Sequence, residues 1–572
     1  MPFNSLDTLQ KNPFFFVSFG LLSFIIYVYV GYKSGLYFYF KRFVAFTLAN
    51  VALYLSLLAF TLTSLTASTD ETFLLASQVK NFTENGIPTV PTFGSKVGIQ
   101  SSTELGIIFF ASMFKLIFTF IDIESCLIIA NLLLILFFSA AIQRRILNKN
   151  IEANLLSTLA IMTSIYVTPT FLNSIGSGMP VSSTSIGFAF ISLVFFDARI
   201  HALPKEMRTV TLVALLTRWE YLVYALMISI YLVIYNRQFL SNTKKLQVCM
   251  VPAGALFLDV TSRKMIFGEY LPAAVIYKSA AAGYSSIPFG IEWLKKVEAS
   301  TQYSLGILLI FAAAITFNRR NRTLKQASIV FIFSLIPIAQ TIYAGGDWFS
   351  FNWGRFAGST FMASFLIISF QIVTSRKERK VEMLSSIACL LAAVALMIWS
   401  SNSLGIIAYQ FSENREFSRV DCLAASGNLI KKNFPREVGV MTAELNTISF
   451  FSEQPVYDLL GIANPRLVRT GSNPLRDGDL LHRVNHSNLP LYKTPGILYL
   501  YEGAYCKNDL HSSEFSWDDL TASEITKYRM FGIASYPSNF IRVELSSNQV
   551  TSLKLFVSPQ TYRKFTELQN KN

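Results

Sequence analysis

Residues 63–86 read TSLTASTDETFLLASQVKNFTENG and carry an acidic pair, Asp70 and Glu71, a few residues after the apolar run 43–66. Burying a carboxylate in hydrocarbon is costly, so we expect this pair at or outside a membrane interface. A loop without a special role would carry acids anywhere along its length, whereas these two lie among its first residues after the apolar run. That position suits carboxylates that act on a substrate held in a bilayer.

Composition predicts a polytopic α-helical membrane protein, and we expect it in the plasma (inner) membrane. The 572 residues are 52% hydrophobic and 15% charged, and they contain repeated apolar runs. About 20 apolar residues cross a hydrocarbon core about 30 Å thick, so we expect about 11–12 spanning helices. The candidate segments are 13–32, 43–66, 126–142, 151–169, 181–196, 209–217, 221–236, 246–260, 302–318, 327–343, 356–374 and 383–403. The pattern leaves open whether 13–32 spans.

The net charge of +14 comes from Lys and Arg that cluster in short segments between the apolar runs. Such clusters set the orientation of the chain in the membrane, so we predict no nucleic-acid partner. The clusters predicted to be cytoplasmic are 41–42, 144–145, 205–208, 244–245, 319–325 and 376–380. Residues 105–120 would break the alternation if they spanned, so we predict an interfacial helix there. The acidic pair and the loops 170–180, 261–301 and 345–355 then lie outside.

Composition changes after residue 412. We predict a transmembrane domain at 1–412, with a catalytic first external loop at 67–125, and an extracytoplasmic domain at 413–572. The second segment is polar, and ILYLYEGAY and FIRVEL are typical of strands, so it predicts an α/β domain. In an oxidising compartment Cys422 and Cys506 could form a disulfide, and two unpaired thiols are the alternative.

The predicted external loops hold acids and bases that suit one reaction. A carboxylate can take the proton of an acceptor hydroxyl, and Arg or Lys can stabilise a departing phosphate. Aromatic rings such as Trp348 can stack on a sugar, and Gly345 with Gly346 lets the backbone bend and pack closely. The joint pattern predicts glycosyl transfer from a lipid-linked phosphosugar. The charged groups are Asp70, Glu71, Arg218, Glu220, Glu269, Lys278, Asp347 and Arg355.

Other readings of these residues stay open. Arg218 and Glu220 could form a structural ion pair between two helices, and GGDW could be a tight external turn. His482 and His486 are four residues apart but lack a third ligand, so we predict no metal site there. No cofactor is certain, and a divalent cation remains an option.

The predicted order of elements resembles the GT-C superfamily of polytopic glycosyltransferases: an acidic pair after an early span, a helix along the membrane, many further spans and an external C-terminal domain. Four stretches narrow the resemblance to the mycobacterial terminal β-arabinofuranosyltransferase and its relatives. GEYLPAAVIYKSA is similar to G-x-x-LPN-x-x-Y-x-K, and LLTRWE to LTRP(D/E). GGDWFSFNWGRF is similar to GGDW…GRF, and VYDLLGIANPRLVR to DLLGL-x-D. The second acid of the pair is Glu71 where the family has Asp, and the departures within the four stretches are Trp219 for Pro, Ala273 for Asn and Asn464 for Asp.

The resemblance implies Asp70 as catalytic base, with Glu71 beside it. It implies a polyprenyl-phosphate sugar donor and an acceptor that is a cell-envelope glycan, a lipid or a protein. The donor-binding residues it implies are Arg218, Lys278 and Arg355 at the phosphate, with Glu220 and Asp347 shaping the pocket. Trp348 joins the predicted sugar-binding residues because its ring can stack on a sugar. The alternative is a transporter or flippase of lipid-linked glycans, which should place ionisable groups near mid-membrane. Here most of these groups lie on predicted external loops.

Overall fold

The computed structural model describes residues 70–92, 98–100, 102–149, 180–196, 202–235, 240–276, 284–300, 335–346, 363, 366, 416–442, 445–458, 496–506, 541–547 and 550–570. The predicted spans at 13–32, 43–66, 151–169, 302–318 and 383–403 lie outside these residues, as does nearly all of 356–374. So do four predicted site residues, namely Lys278, Asp347, Trp348 and Arg355, and the side chains of Asp70 and Glu71.

The first part of the chain is helical. Its helices are α1 Asp70–Asn85, α2 Leu105–Ile117, α3 Ile123–Lys149, α4 Val181–Phe196, α5 Leu203–Leu216, α6 Trp219–Tyr235, α7 Asn242–Phe267, α8 Ile287–Ser300 and α9 Ile336–Tyr343. The apolar runs predicted between residues 126 and 142 and between 181 and 260 fall on α3 to α7. Within the described ranges, no helix combines the length and the apolar character needed to cross a membrane.

Helix α4 lies at the centre of the helical core. All 16 of its residues are buried, and α3, α5 and α6 pack around it. Helix α5 approaches α2 closely, because Gly106 of α2 rests against the backbone of Leu216. The core is therefore formed by helices that the sequence separates by as many as 100 residues or so, and small residues set how closely they pack.

Helix α2 confirms the helix predicted within 105–120, although it ends at Ile117. Gly106, Ile107 and Ala111 are buried, whereas Phe109 and Ile117 are 52% and 65% exposed. Such an exposed apolar face is what an interfacial helix would turn toward lipid. The interfacial position itself stays a prediction.

The C-terminal part is a mixed α/β unit. Its elements are α10 Glu416–Asn433, β1 Val440–Thr442, α11 Leu445–Ser452, β2 Val456–Asp458, β3 Ile497–Cys506, β4 Ile541–Leu545, β5 Val550–Val557 and α12 Pro559–Gln569. The strand order is β2-β1-β3-β5-β4. Strand β1 runs parallel to β2 and β3, and β5 runs antiparallel to β3 and β4. The two strands predicted from ILYLYEGAY and FIRVEL are confirmed as β3 and β4.

Cys422 of α10 is disulfide-bonded. The thiols of Cys126 and Cys249 are free. Cys506 ends β3, which packs against α10, but its side chain lies outside those described. The pairing of Cys422 with Cys506 therefore stays a prediction.

Helix α1 packs against α11 and so joins the two parts of the chain. The ring of Phe73 lies 5.5 Å from that of Phe450 and 5.0 Å from that of Phe451, measured between centroids. Beyond α1, the backbone N–H of Val456 donates to the carbonyl of Pro91 at 3.1 Å. The first predicted external loop thus contacts the C-terminal unit directly. The boundary at 412–413 stays a prediction.

Substituting Gly106→Ala tests the contact between α2 and α5. The added Cβ would lie 2.4 Å from the carbonyl oxygen of Leu216 and 2.6 Å from its Cα, so backbone must shift. We expect a loss of about 1–3 kcal/mol of unfolding free energy, as for other overpacked sites. Thermal unfolding of the purified full chain in detergent measures it.

Gly254→Ala on α7 is the matched control, because a Cβ there meets nothing within 4 Å. It should leave stability unchanged or raise it by up to about 1 kcal/mol, since Ala favours helix. Equal unfolding temperatures for the two variants would contradict the close contact.

Candidate functional site

Asp70 and Glu71, the predicted catalytic pair, lie on α1. Asp70 precedes Gln78 by eight residues, which is about 12 Å along a helix axis. Gln78 is fully buried, and its side-chain oxygen accepts a hydrogen bond from the hydroxyl of Ser102 at 3.4 Å. Helix α1 is thereby attached to the segment that follows it. The position of the acidic pair is therefore set by how this segment is held.

Residues 87–104, here called the linking segment, hydrogen-bond to three distant parts of the chain. Pro91 accepts from the backbone of Val456, which begins the stretch VYDLLG. The carbonyl of Gln100 accepts from the N–H of Ala273 at 3.1 Å, within GEYLPAA. The carbonyl of Thr103 accepts from the N–H of Trp219 at 3.3 Å, within LLTRWE. Three of the four stretches that carry the family resemblance therefore touch one segment.

A buried ion cluster fixes the linking segment to the start of α6. Arg218 donates through Nε and Nη2 to the two carboxylate oxygens of Glu220, at 3.3 and 3.0 Å. Its Nη1 lies 3.1 Å from Oε1 of Glu104. All three residues are at least 94% buried. This geometry matches the alternative in which Arg218 and Glu220 form a structural pair, and phosphate binding by Arg218 stays a prediction.

A second buried arginine holds the same segment to α7. Arg263 is 2% exposed, and its Nε donates to Asp259 Oδ2 at 2.7 Å. Its Nη1 donates to the side-chain oxygen of Gln100. Arg263, Gln100 and Glu104 are functional residues that the motifs of the sequence do not reveal. Glu104 stands immediately before the apolar run 105–120, and this position of a charged residue is the one sequence feature that could have marked it as functional.

The fourth stretch, GGDW, begins in the same helical core. The hydroxyl of Tyr224, one turn beyond Glu220, donates to the side-chain oxygen of Gln340 on α9. Gly345 and Gly346 follow with φ values of 86° and 106°, and a Cβ on Gly346 would lie 2.8 Å from that of Trp293. The predicted bend and close packing at the two glycines are confirmed. Asp347 and Trp348 lie outside the described residues.

Glu453, just after α11, forms ion pairs with basic side chains from both parts of the chain. Its carboxylate pairs with Lys80 of α1, with Lys431 at 2.8 Å and with Arg436 at 3.4 Å. Burial alone would raise the pKa of Glu453, but hydrogen bonds from Lys431 and Lys80 and their charges lower it to about 2. Its φ of 57° is unusual for a residue other than glycine.

Among the side chains that the structure describes, no group of three or more His, Cys, Asp or Glu residues could hold a metal ion. The option of a divalent cation therefore stays untested at the predicted site, whose main carboxylates belong to Asp70, Glu71 and Asp347.

Replacing Arg218 by Met tests the buried cluster. Glu104 and Glu220 would lose the cation between them, and we expect a loss of about 3–5 kcal/mol of unfolding free energy. Lys295→Met is the control, because its pair with Glu292 is exposed and should be worth less than about 1 kcal/mol. Similar unfolding temperatures for the two variants would contradict a structural role for Arg218.

Glu453 predicts a pH-dependent stability. Its pKa is lowered in the folded chain, so its ion pairs stabilise the fold above about pH 4.5 and are lost as the pH falls toward 2. Comparing the unfolding temperatures of the wild type and of Glu453→Gln from pH 7 to pH 2 measures this. The difference should be constant above pH 4.5 and shrink below it. A difference that is the same at pH 2 and pH 7 would exclude the lowered pKa.

No family model matches this sequence, and no curated protein matches it. The solved structures that are similar to this chain include ArnT from Cupriavidus metallidurans in the apo state and the same protein bound to undecaprenyl phosphate. The first has 9% identity and a TM-score of 0.48, covering 90% of this chain and 97% of its own. The second has 10% identity and a TM-score of 0.47, covering 89% and 97%.

Proposed function

We propose that this chain is a membrane glycosyltransferase of the GT-C type that moves a sugar from a polyprenyl-phosphate donor to an acceptor hydroxyl on the extracytoplasmic face. One observation carries the proposal. The linking segment hydrogen-bonds to Trp219, Ala273 and Val456, which lie in three of the stretches that resemble the family. A helix carrying the predicted base leads directly into that segment. Residues that are almost 400 positions apart in the sequence are thus brought together at the linking segment.

In the proposed reaction, the Asp70 carboxylate takes the proton of the acceptor hydroxyl. The hydroxyl oxygen bonds to the anomeric carbon of the donor sugar, and the bond from that carbon to the phosphate oxygen breaks. The polyprenyl phosphate leaves with the bonding electrons. Lys278 and Arg355 are the proposed partners of its developing negative charge. Glu71 stands beside the base, and Asp347 and Trp348 shape the sugar pocket.

For Arg218 and Glu220 we propose a positioning role. With Glu104 they hold the linking segment against α6, so the helix that bears Asp70 keeps its place relative to the Arg218 turn. The Arg218 guanidinium already makes two hydrogen bonds to the Glu220 carboxylate, so a phosphate would have to compete with Glu220 for it. Lys278 and Arg355 are therefore the preferred phosphate ligands.

The donor sugar is the finer question. The resemblance to the mycobacterial terminal β-arabinofuranosyltransferase favours a pentose, while the departures at Trp219, Ala273 and Asn464 fall in the stretches that carry it. We therefore propose the reaction class and leave pentosyl and hexosyl donors both open, with a glycan, lipid or protein acceptor.

Asp70→Asn tests the proposal in a deletion strain whose envelope glycans and surface glycoproteins are compared with those of the parent. The wild-type gene should restore the missing glycan. Asp70→Asn should lower transfer by about 10²–10⁴-fold at equal membrane expression, because a general base is removed. Glycan mass spectrometry and expression blots are the measurements.

Glu292→Gln is the matched carboxylate control, since Glu292 is exposed on α8, and it should restore the glycan fully. Full restoration by Asp70→Asn would overturn the assignment of Asp70. A lipid-linked sugar supplied at the outer leaflet separates the alternatives. It bypasses the loss of a flippase and does not bypass the loss of a transferase.

A further inference from the structure

A polar cleft lies between α1 and the C-terminal unit. Its volume is about 540 Å³, within the range of about 300–1,000 Å³ typical of ligand pockets. Ser77, Asn81 and Asn85 line it from α1, and Ser449, Phe450 and Glu453 line it from α11 and the residue after it. We call it the α1–α11 cleft. It contains none of the predicted catalytic or donor-binding residues.

Two buried hydroxyl groups in this cleft have no hydrogen-bond partner among the described residues. Ser77 and Ser449 are each 4% exposed, and the Oγ of each is unsatisfied. Buried polar atoms in native proteins are nearly always hydrogen-bonded, so each exception calls for a ligand or an ordered water. The two serines come from different helices and line the same cavity. Neither Oγ reaches the surface of the cleft, so a ligand with several hydroxyl groups would satisfy them through an ordered water or after a small shift of the cleft wall.

The charges of the lining indicate a neutral ligand. Lys80 and Arg436 face three carboxylates, those of Glu84, Glu437 and Glu453. An anion would meet more negative than positive groups there, and Lys80 and Arg436 already pair with Glu453. The charged groups therefore serve as fixed hydrogen-bond donors and acceptors around the cavity.

Phe450 and two asparagines complete the chemistry of a sugar site. The Phe450 ring is held by the rings of Phe73 and Phe451, so an apolar surface is fixed at the wall of the cleft. The amide of Asn85 donates to Asn81, whose amide donates to Thr89, which orients both side chains. An apolar ring beside oriented amides and hydroxyls matches the apolar faces and hydroxyl edges of a sugar.

We propose that the α1–α11 cleft binds a neutral oligosaccharide. The binding is independent of the proposed function, and only the identification of this oligosaccharide as part of the acceptor rests on it. Ser77 follows Asp70 by seven residues on α1, about 10 Å along the helix axis. A saccharide chain in the cleft would therefore lie along the helix that carries the proposed base.

The test measures binding of fluorescent neutral tri- to hexasaccharides of glucose, mannose, galactose and arabinose to the full chain in detergent. The phosphorylated counterparts serve as anionic probes. The wild type should bind at least one neutral series more tightly than its phosphorylated form. Ser77→Ala and Ser449→Ala should each weaken that binding about fivefold, the value of one ordinary hydrogen bond.

Unfolding temperature without ligand separates a ligand-binding role from a structural one. Removing an unsatisfied hydroxyl should leave it unchanged or raise it, whereas loss of a structural hydrogen bond would lower it. Ser426→Ala on α10 is the control, because Ser426 is fully buried, equally unsatisfied and outside the cleft lining. It should leave the affinity at the wild-type value.

Three results would overturn the proposal: no neutral oligosaccharide binds, the phosphorylated probes bind more tightly, or both serine variants keep the wild-type affinity. Asp70→Asn should bind the saccharide like the wild type. Saccharide binding in a wild-type chain that transfers no sugar would refute the proposed function and support saccharide binding in the cleft. Sugar transfer without saccharide binding would support the proposed function and refute binding in the cleft.

Discussion

The charge of one buried arginine constrains the helical part of the structure. A guanidinium taken out of water must be paired and hydrogen-bonded, and Arg218 meets this need with Glu220 on its own helix turn and Glu104 across the core. Because Glu104 ends the linking segment, the pairing also fixes the residues between α1 and α2. Hydrogen bonds from Trp219 and Ala273 then follow from that placement. The linking segment, which joins distant stretches of the chain, therefore depends on the pairing of the Arg218 guanidinium.

The sequence predicted elements whose pattern is local. Apolar runs locate α3 to α7 because a buried helix needs only continuous apolar residues, and alternation locates β3 and β4 because a strand exposes alternate faces. The helical character of residues 70–85 was not foreseen. Helix α1 is polar on average, and its stability comes from packing Phe73 against Phe450 and Phe451, which are almost 380 residues away. Contacts of that kind leave no local pattern.

The candidate site was predictable only in part, for a similar reason. Arg218 and Glu220 interrupt an apolar stretch, so they were noticed, but their partner Glu104 lies more than 100 residues earlier and no spacing rule connects them. Gly345 and Gly346 were assigned a bend from residue type alone, and their positive φ values bear this out. Lys80 and Glu453 look like ordinary surface residues in the sequence. Only the packing of α1 on α11 gives them a shared cleft.

The edge of the β-sheet has a further consequence. Among the described strands β2 is the outermost on its side, and Pro91 and Thr92 pair with Val456 along it in the parallel sense. An uncovered edge strand presents free N–H and C=O groups and invites pairing with other chains. The N-terminal part of the protein thus shields this edge through an isolated bridge at Thr92, and its described residues contribute no full strand to the sheet. A fragment cut at the change in composition would carry that bare edge into solution, so solubility and folding of the second unit belong to the intact polypeptide.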